Sequence, residues 1–285
     1  MKKFTLIFGL LLAMAMTMQA EIVYNGEAHN VASWNAKQLP VATYSMLTKA
    51  TQGDVIAITV SAVDNTESKQ GRITLQSLGY KSMGEYDEYN ISVGVYYFVL
   101  TKAAADSLKT KGMNVTGENY SFNKVELLYQ KSLWEGPLVG NADWVQSDNL
   151  QSNPSRFADL QAGDLLGIEY SNLTDDHDGQ HACVLRINYR SNIIDEWVSK
   201  AGTYIHTLSA DDVDSLQNQS NDIHLVARWL TINTLNTYVP NKSVDPTAIN
   251  QTNAIFDNRR YDIFGRPVDE NYRGVVILNG KKYLQ

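Results

Sequence analysis

The chain reads Gly-Asp-Leu-Leu-Gly-Ile-Glu-Tyr at residues 163–170 and Gly-Asp-Val-Ile-Ala-Ile-Thr-Val at residues 53–60. In each stretch the Gly-Asp pair favours a tight turn, and hydrophobic side chains then recur at every second position. This alternation is typical of a β-strand with one buried face. The two copies lie 110 positions apart, so the sequence indicates a duplicated unit rather than one large domain.

Aromatic residues near these stretches repeat at the same offset. Tyr24 corresponds to Trp134, and Trp34 corresponds to Trp144. Segments later in each copy repeat at an offset of 108 positions, so the second copy is two residues shorter there. The repeated order of segments supports duplication along most of the chain.

Short alternating runs separated by turn residues make up most of each copy. One brief helix per copy is expected, with Thr101 and Ser209 as N-caps, because their hydroxyls can accept a bond from the first turn. The pattern predicts an all-β fold of two tandem antiparallel β-sandwich (jelly-roll-like) domains plus a small β C-terminal tail. Alternating βα units are absent from the sequence, which disfavours a Rossmann-type or barrel enzyme.

The first 20 residues have the three parts of a secretory signal peptide. Lys2 and Lys3 precede an apolar run, and the small residue Ala20 ends the segment. The run is shorter than the roughly 20 residues that span a bilayer, and no other apolar run approaches that length. We therefore predict a signal peptide at residues 1–20, no membrane span, and export from the cell.

The exported chain divides into four segments. The two β-sandwich repeats are predicted at residues 21–130 and 131–240, a usual size for sandwich domains. Residues 241–252 lose the alternating pattern and contain proline and asparagine, which is typical of a linker. Residues 253–285 return to a short β pattern, in which Asn279-Gly280 predicts a hairpin turn.

The exported chain is acidic and has one cysteine. The signal peptide carries two of the 24 basic residues, so its removal leaves 22 basic and 31 acidic side chains, a formal charge of −9. This charge disfavours nucleic acid and anionic lipid as partners. Cys183 cannot form an intramolecular disulfide, and its apolar neighbours predict a buried small hydrophobic residue rather than a nucleophile.

Two motifs in the C-terminal segment carry a resemblance. Residues 261–268 read Tyr-Asp-Ile-Phe-Gly-Arg-Pro-Val, and residues 274–282 read Gly-Val-Val-Ile-Leu-Asn-Gly-Lys-Lys. Together they resemble the C-terminal sorting signal of proteins that Bacteroidetes export through the type IX secretion system. The resemblance implies a Bacteroidetes-like source, passage through the periplasm, and an extracellular or cell-surface destination.

The duplicated unit resembles the jelly-roll carbohydrate-binding modules of polysaccharide-degrading enzymes and surface glycan-binding proteins of the same bacteria. The features that carry this resemblance are Leu133-Trp134-Glu135-Gly136, Trp144, Gly163-Asp164 and Gly202-Thr203-Tyr204. The resemblance implies a glycan ligand, and it transfers no ligand-binding residue.

Exposed aromatic rings can stack on the C–H face of a sugar while nearby polar groups bond its hydroxyls. The candidate ligand-binding residues are Trp197, Trp144, Trp134, Trp34, Tyr24 and Arg190. Trp197 is the favoured contact, because it follows an Arg- and Asn-rich stretch and no aromatic counterpart is placed in the first copy. Packing in the core is the favoured alternative for the repeated tryptophans Trp34, Trp134 and Trp144, and it is the expectation for Trp229.

Residues 174–181 form the densest polar cluster, Thr-Asp-Asp-His-Asp-Gly-Gln-His. Carboxylate oxygens suit calcium, so Asp175, Asp176 and Asp178 are candidate metal ligands, whereas histidine would favour zinc. The spacing fits neither an EF-hand loop nor a His-Glu-x-x-His helix, and a solvated turn is the favoured alternative. No other cofactor is expected.

No assembled catalytic motif is present in the sequence. Glycoside hydrolysis needs two paired carboxylates, and no motif pairs them or provides an activated nucleophile. We therefore expect a non-catalytic secreted or surface protein that binds a polysaccharide, with avidity from its tandem modules. The alternative is a surface adhesin or structural protein that binds other proteins, from the host or from bacteria.

Overall fold

The computed structural model describes residues 21–64, 70–79, 82–173 and 180–239, together with strands at residues 260–262, 267–268, 275–278 and 281–284. The chain divides into two compact units, Met1–Lys242 and Ser243–Gln285. The predicted signal peptide and the predicted linker at residues 241–252 lie outside the described residues.

The first half of the larger unit contains seven strands and one α-helix in its described part. They are β1 (Glu21–Ser33), β2 (Lys37–Pro40), β3 (Val55–Val63), β4 (Arg72–Ser77), β5 (Ser82–Tyr89), β6 (Gly94–Val99), α1 (Lys102–Lys111) and β7 (Gly112–Val139). Strand β7 pairs with β2 and β4 near its start and with β1 and β3 along its middle. It therefore belongs to two antiparallel layers, β5-β4-β7-β2 and β1-β7-β3-β6, which enclose the first core.

The second half repeats this arrangement with one difference. Its elements are β8 (Val145–Gln146), β9 (Leu165–Ser171), β10 (Ala182–Ile187), β11 (Ser191–Trp197), β12 (Gly202–Thr207), α2 (Ala210–Gln217), β13 (Ile223–Arg228) and β14 (Thr231–Val239). The layers are β11-β10-β13-β8 and β7-β14-β9-β12. Two strands, β13 and β14, stand where the first half has the continuous β7. Short 3-10 helices precede the Gly-Asp turns at Ser45–Lys49, Leu150–Ser152 and Pro154–Arg156.

The Gly-Asp stretches form the same turn in both halves. The Gly53 amide donates to Leu100 O and the Leu100 amide to Asp54 O, at 2.8 and 2.7 Å. The amides of Gly163 and Leu208 repeat these bonds at 2.8 Å each. Both glycines have a positive φ, which glycine adopts without steric cost. The antiparallel all-β sandwich that these stretches predicted is confirmed.

The helix caps also match the sequence. The Thr101 hydroxyl accepts a bond from the Ala104 amide, and the Ser209 hydroxyl accepts one from the Asp212 amide. Asp212 accepts a bond from the Ser209 amide in return, which completes a capping box. The caps begin α1 and α2 as the sequence predicted.

The two halves share β7 and pack against each other. The predicted boundary after residue 130 lies inside β7, so this strand leaves the first half and enters the second without a linker. A small apolar cluster of Val55, Leu165 and Tyr238 joins the halves. Both halves therefore lie in one compact unit, and their division into separate domains stays a prediction.

The C-terminal unit is a small antiparallel sheet in its described part. Its strands are β15 (Arg260–Asp262), β16 (Pro267–Val268), β17 (Val275–Leu278) and β18 (Lys281–Leu284), in the order β16-β15-β17-β18. The predicted small β tail is confirmed. The Asn279-Gly280 turn lies outside the described residues, and the sorting signal stays a prediction.

No described helix is long and apolar enough to cross a membrane. Cys183 lies in the core of the second half, as its apolar neighbours predicted. Trp229 was expected in the core. It is instead half-buried at the bend between β13 and β14, with φ of 53°.

Asp54 fastens the first Gly-Asp turn to β7. Its carboxylate is fully buried and accepts bonds from the Thr51 amide (2.7 Å), the Thr51 hydroxyl (2.9 Å) and the Gln130 amide (3.1 Å). The equivalent Asp164 is only partly buried and accepts a bond from the Gln161 amide at 2.8 Å. The carboxylate of the first turn therefore accepts more hydrogen bonds, including one from the shared strand β7, than the carboxylate of the second turn.

Replacing Asp54 should destabilise the protein more than replacing Asp164. We expect Asp54→Ala to lower the free energy of unfolding by about 3 kcal/mol and Asp164→Ala by about 1 kcal/mol, because more buried donors lose their acceptor in the first variant. Urea unfolding of the two variants and the wild type measures the difference. Equal losses would contradict the role given to Asp54.

Candidate functional site

The layer β11-β10-β13-β8 has one side toward the core and one side away from it. Cys183, Leu185 and Leu225 point into the second core. Because side chains alternate along a strand, their neighbours lie on the outer side. We call this outer side the second face, and its residues are Trp144, Gln146, Ala182, Val184, Arg186, Asn192, Asp195, Trp197, His224, Val226 and Arg228.

Strand register brings four of these residues into one row. Ala182 pairs with Trp197 on β11 and with Arg228 on β13. Ala227 pairs with Val145, which places Trp144 beside Arg228. The row therefore runs Trp197, Ala182, Arg228, Trp144 across the whole layer.

The two tryptophans of this row meet above the sheet. The ring centroids of Trp144 and Trp197 lie 5.7 Å apart at an interplanar angle of 84°, an edge-to-face contact. The small, fully buried Ala182 leaves room beneath them. The Arg228 guanidinium carbon lies 5.1 Å from the Trp144 ring centre and 6.0 Å from that of Trp197. Trp197 remains 49% exposed, so a flat apolar surface faces solvent.

The first half carries an equivalent row on the layer β5-β4-β7-β2. Arg72 pairs with Tyr89 on β5 and with Glu118 on β7, and the Trp34 amide donates to Gly117 O at 2.7 Å. The Arg72 guanidinium carbon lies 4.7 Å from the Trp34 ring centre and 4.6 Å from that of Tyr89. Trp34 and Tyr89 are 42% and 59% exposed.

We call this outer side the first face. Its residues are Trp34, Gln38, Arg72, Thr74, Gln76, Asp87, Tyr89, Asn114, Thr116 and Glu118. Both faces thus place an arginine in contact with two aromatic rings. Stacked guanidinium groups of this kind stabilise the rings and keep N–H donors beside them.

Trp34 and Trp144 share an unusual backbone. Each has φ of 56°, a left-handed conformation that costs a residue other than glycine about 1–3 kcal/mol. In the first half the Thr116 hydroxyl donates to Trp34 O at 3.1 Å and helps to hold this conformation. Strained residues concentrate at ligand-binding sites, and here the strain recurs at the tryptophan of both rows.

Each face also carries polar side chains outside its aromatic row. On the second face Asn192 donates to Asp195 Oδ2 at 2.8 Å, and Arg186 donates to Asn192 Oδ1 at 3.4 Å. On the first face Arg72 forms an ion pair with Asp87 at 3.1 Å, and the Thr74 hydroxyl donates to the same carboxylate. Both faces therefore offer donors and acceptors next to exposed rings.

The structure brings some of the predicted ligand-binding residues together and separates others. Trp144 and Trp197 meet on the second face, and Trp34 lies on the first. Trp134 is half-buried against the second core. Tyr24 packs edge-to-face on Phe122 of the first core, with ring centroids 5.8 Å apart.

Arg190 lies in the turn between β10 and β11, at the opposite end of β11 from Trp197. It is exposed there and does not join the aromatic row.

Three residues of the rows were missed by the sequence analysis. Arg72 lies on β4 and Arg228 on β13, which are not equivalent strands of the two halves. The two arginines therefore do not repeat at an offset of 110 positions. Tyr89 corrects the expectation that Trp197 has no aromatic counterpart in the first half. Tyr89 precedes Trp197 by 108 positions, and this shifted offset was the signal that could have found it.

The described residues contain no group of three or more His, Cys, Asp or Glu side chains that could hold a metal ion. The candidate calcium ligands Asp175, Asp176 and Asp178 lie outside the described residues. They therefore stay a prediction, with the solvated turn as the alternative.

Neither a family model nor a curated protein matches the sequence. Among solved structures the chain is similar to SGBP-B of the Bacteroides ovatus mixed-linkage glucan utilization locus, in complex with a mixed-linkage heptasaccharide. The two share 14% sequence identity with a TM-score of 0.34, over 66% of this chain and 49% of that chain. The chain thus spans about half the length of SGBP-B.

A second similar structure is the N-terminal CBM22-1-CBM22-2 tandem domain of Paenibacillus barcinonensis Xyn10C. Here the identity is 8% and the TM-score 0.21, over 74% of this chain and 85% of that chain.

The Cys183 thiol should be unreactive in the folded protein. Burial raises the pKa of Cys183 to about 12, with a smaller contribution from Glu196, so the reactive thiolate is scarce near pH 8. We expect a thiol reagent such as a disulfide-forming dye to label the native chain at least about a hundredfold more slowly than the chain in denaturant. Rapid labelling of the native chain would contradict this burial.

Proposed function

We propose that the chain is a secreted or cell-surface, non-catalytic protein that binds a polysaccharide through its two aromatic faces. The single observation that carries the proposal is the recurrence of one arrangement, an arginine in contact with two aromatic rings, on the outer face of both halves. Exposed aromatic residues on a rigid sheet are unusual without a partner. The similarity of the two rows favours a shared type of ligand.

The chemistry of the faces suits a sugar. A pyranose ring presents C–H groups on one side, which pack on an aromatic ring, and hydroxyls at its edge, which bond amide, carboxylate and guanidinium groups. Trp197 and Tyr89 supply the most accessible rings. Asp195 on the second face and Gln76 on the first lie within the same layers as these rings.

The placement of the faces favours an extended ligand. The exposed rings of Trp34, Tyr89 and Trp197 lie on the solvent side of these layers, so a polymer chain can stack on them without an end having to enter a cavity. Strand β7 and the apolar cluster between the halves hold the two faces in a fixed relation. Two weak sites on one rigid unit gain avidity for a repeating polymer.

Removing the exposed ring of the second face should weaken binding. Wild type and Trp197→Ala are run in native gels that contain neutral and acidic polysaccharides in turn. We expect at least one polysaccharide to retard the wild type, and Trp197→Ala to bind it about tenfold more weakly, which corresponds to about 1.4 kcal/mol.

The matched control is Val95→Ala, which shortens an exposed apolar side chain of β6, in the layer β1-β7-β3-β6 of the first half. It should leave the retardation unchanged. No retardation by any polysaccharide, together with specific capture of a purified surface protein, would overturn the proposal in favour of the adhesin alternative. Hydrolysis of a retarding polysaccharide would overturn its non-catalytic part.

A further inference from the structure

The two faces differ in charge although they occupy equivalent positions. Among the described outer side chains, the first face has one basic and two acidic residues, and the second has two basic and one acidic. These residues are Arg72, Asp87 and Glu118 on the first face and Arg186, Arg228 and Asp195 on the second. The described part of the second face therefore carries one more basic than acidic residue, on a chain whose formal charge is −7.

The difference arises because the central arginine changes strand. Arg72 of the first face corresponds to Ala182 of the second, and Glu118 of the first face corresponds to Arg228 of the second, in both cases 110 positions later. The acidic position beside the arginine of the first face has therefore become the arginine of the second.

The guanidinium of the first face is already paired within the protein. Arg72 lies 3.1 Å from the Asp87 carboxylate, which also accepts a bond from Thr74, and Glu118 is on the adjacent strand. A second anion would meet these two carboxylates. The first face therefore suits a neutral ligand.

The guanidinium of the second face has a different environment. In the part of the chain that the structure describes, Arg228 has no carboxylate partner, and its terminal N–H donates to Gln180 Oε1 at 3.3 Å. Its Nε is shielded from solvent without an acceptor, as is that of Arg72, so the two arginines differ in their carboxylate contacts. The rings of Trp144 and Trp197 fix the group instead. The Arg228 guanidinium is therefore a positive charge in a fixed position beside the exposed ring of Trp197.

We propose that the second face binds an acidic glycan, with Arg228 pairing to the carboxylate of a uronic acid while Trp197 stacks on a sugar ring. This inference rests on the proposed function. A planar guanidinium matches the two oxygens of a carboxylate, and its contact with two rings reduces the freedom lost on binding. Arg186, the second-last residue of β10, adds a positive charge at the other end of the same face.

The experiment measures binding by the second face alone, in the full chain, after substitution of the first face. The variant Trp34→Ala with Tyr89→Ala removes both rings of the first face. Calorimetry then compares polygalacturonate oligosaccharides with their methyl esters, which differ in charge and keep the same backbone. We expect the acid to bind at least about tenfold more tightly, and its affinity to fall when salt rises from about 0.05 M to about 0.5 M.

Substitution of the arginine identifies the group responsible. In the same background Arg228→Gln should abolish the preference for the acid. Arg228→Lys should retain part of it, because lysine keeps the positive charge but lacks the planar pair of N–H donors that bonds both carboxylate oxygens. Lys102→Gln, which removes an exposed positive charge on α1 outside both faces, is the control and should leave the preference intact. Urea unfolding establishes that each variant is folded before binding is measured.

The outcomes separate the two proposals. Equal affinity for acid and ester, or a preference that survives Arg228→Gln, overturns the inference and leaves glycan binding standing. The absence of binding to any glycan by the wild type overturns both.

Discussion

The constraint on which the rest of the structure depends is the continuous antiparallel pairing of β7. This strand is an inner strand of both layers in the first half and then becomes the edge strand of one layer in the second. Backbone bonds along its length set the register of every neighbour, and the buried carboxylate of Asp54 anchors the Gly-Asp turn to it at Gln130. Since a slip of one residue would turn each strand over, the first face depends on this pairing, whereas the second face depends on the pairing of β10 with β11 and β13 in a separate layer.

The pairing of β10 with β11 and β13, and of β13 with β8, explains why aromatic residues distant in sequence meet on the second face. Trp197 ends β11, Arg228 ends β13 and Trp144 precedes β8, so all three lie at one end of the layer. The left-handed backbone of Trp144, matched by Trp34, is retained in both halves despite its cost. Each of the two tryptophans thus places its ring against an arginine on the outer side of its layer.

The two halves share one backbone arrangement but differ in the charged side chains on their outer faces. The layers, turns and aromatic positions correspond, while the arginine and its carboxylate neighbours do not. An exchange of side chains between adjacent strands changes the local charge without moving the backbone, because the outer positions do not pack in the core. Specificity can therefore diverge while the fold is kept.

The sequence by itself determined the strands, turns and helix caps, because these follow from local alternation in residues 53–60 and 163–170 and from capping hydroxyls. It also selected Trp144 and Trp197. Only the tertiary structure decided which rings stay accessible, since Trp134 packs against a core that distant strands supply. It also decided the place of Arg228, because strand pairing alone brings residues 144, 197 and 228 together, and no local pattern encodes that meeting.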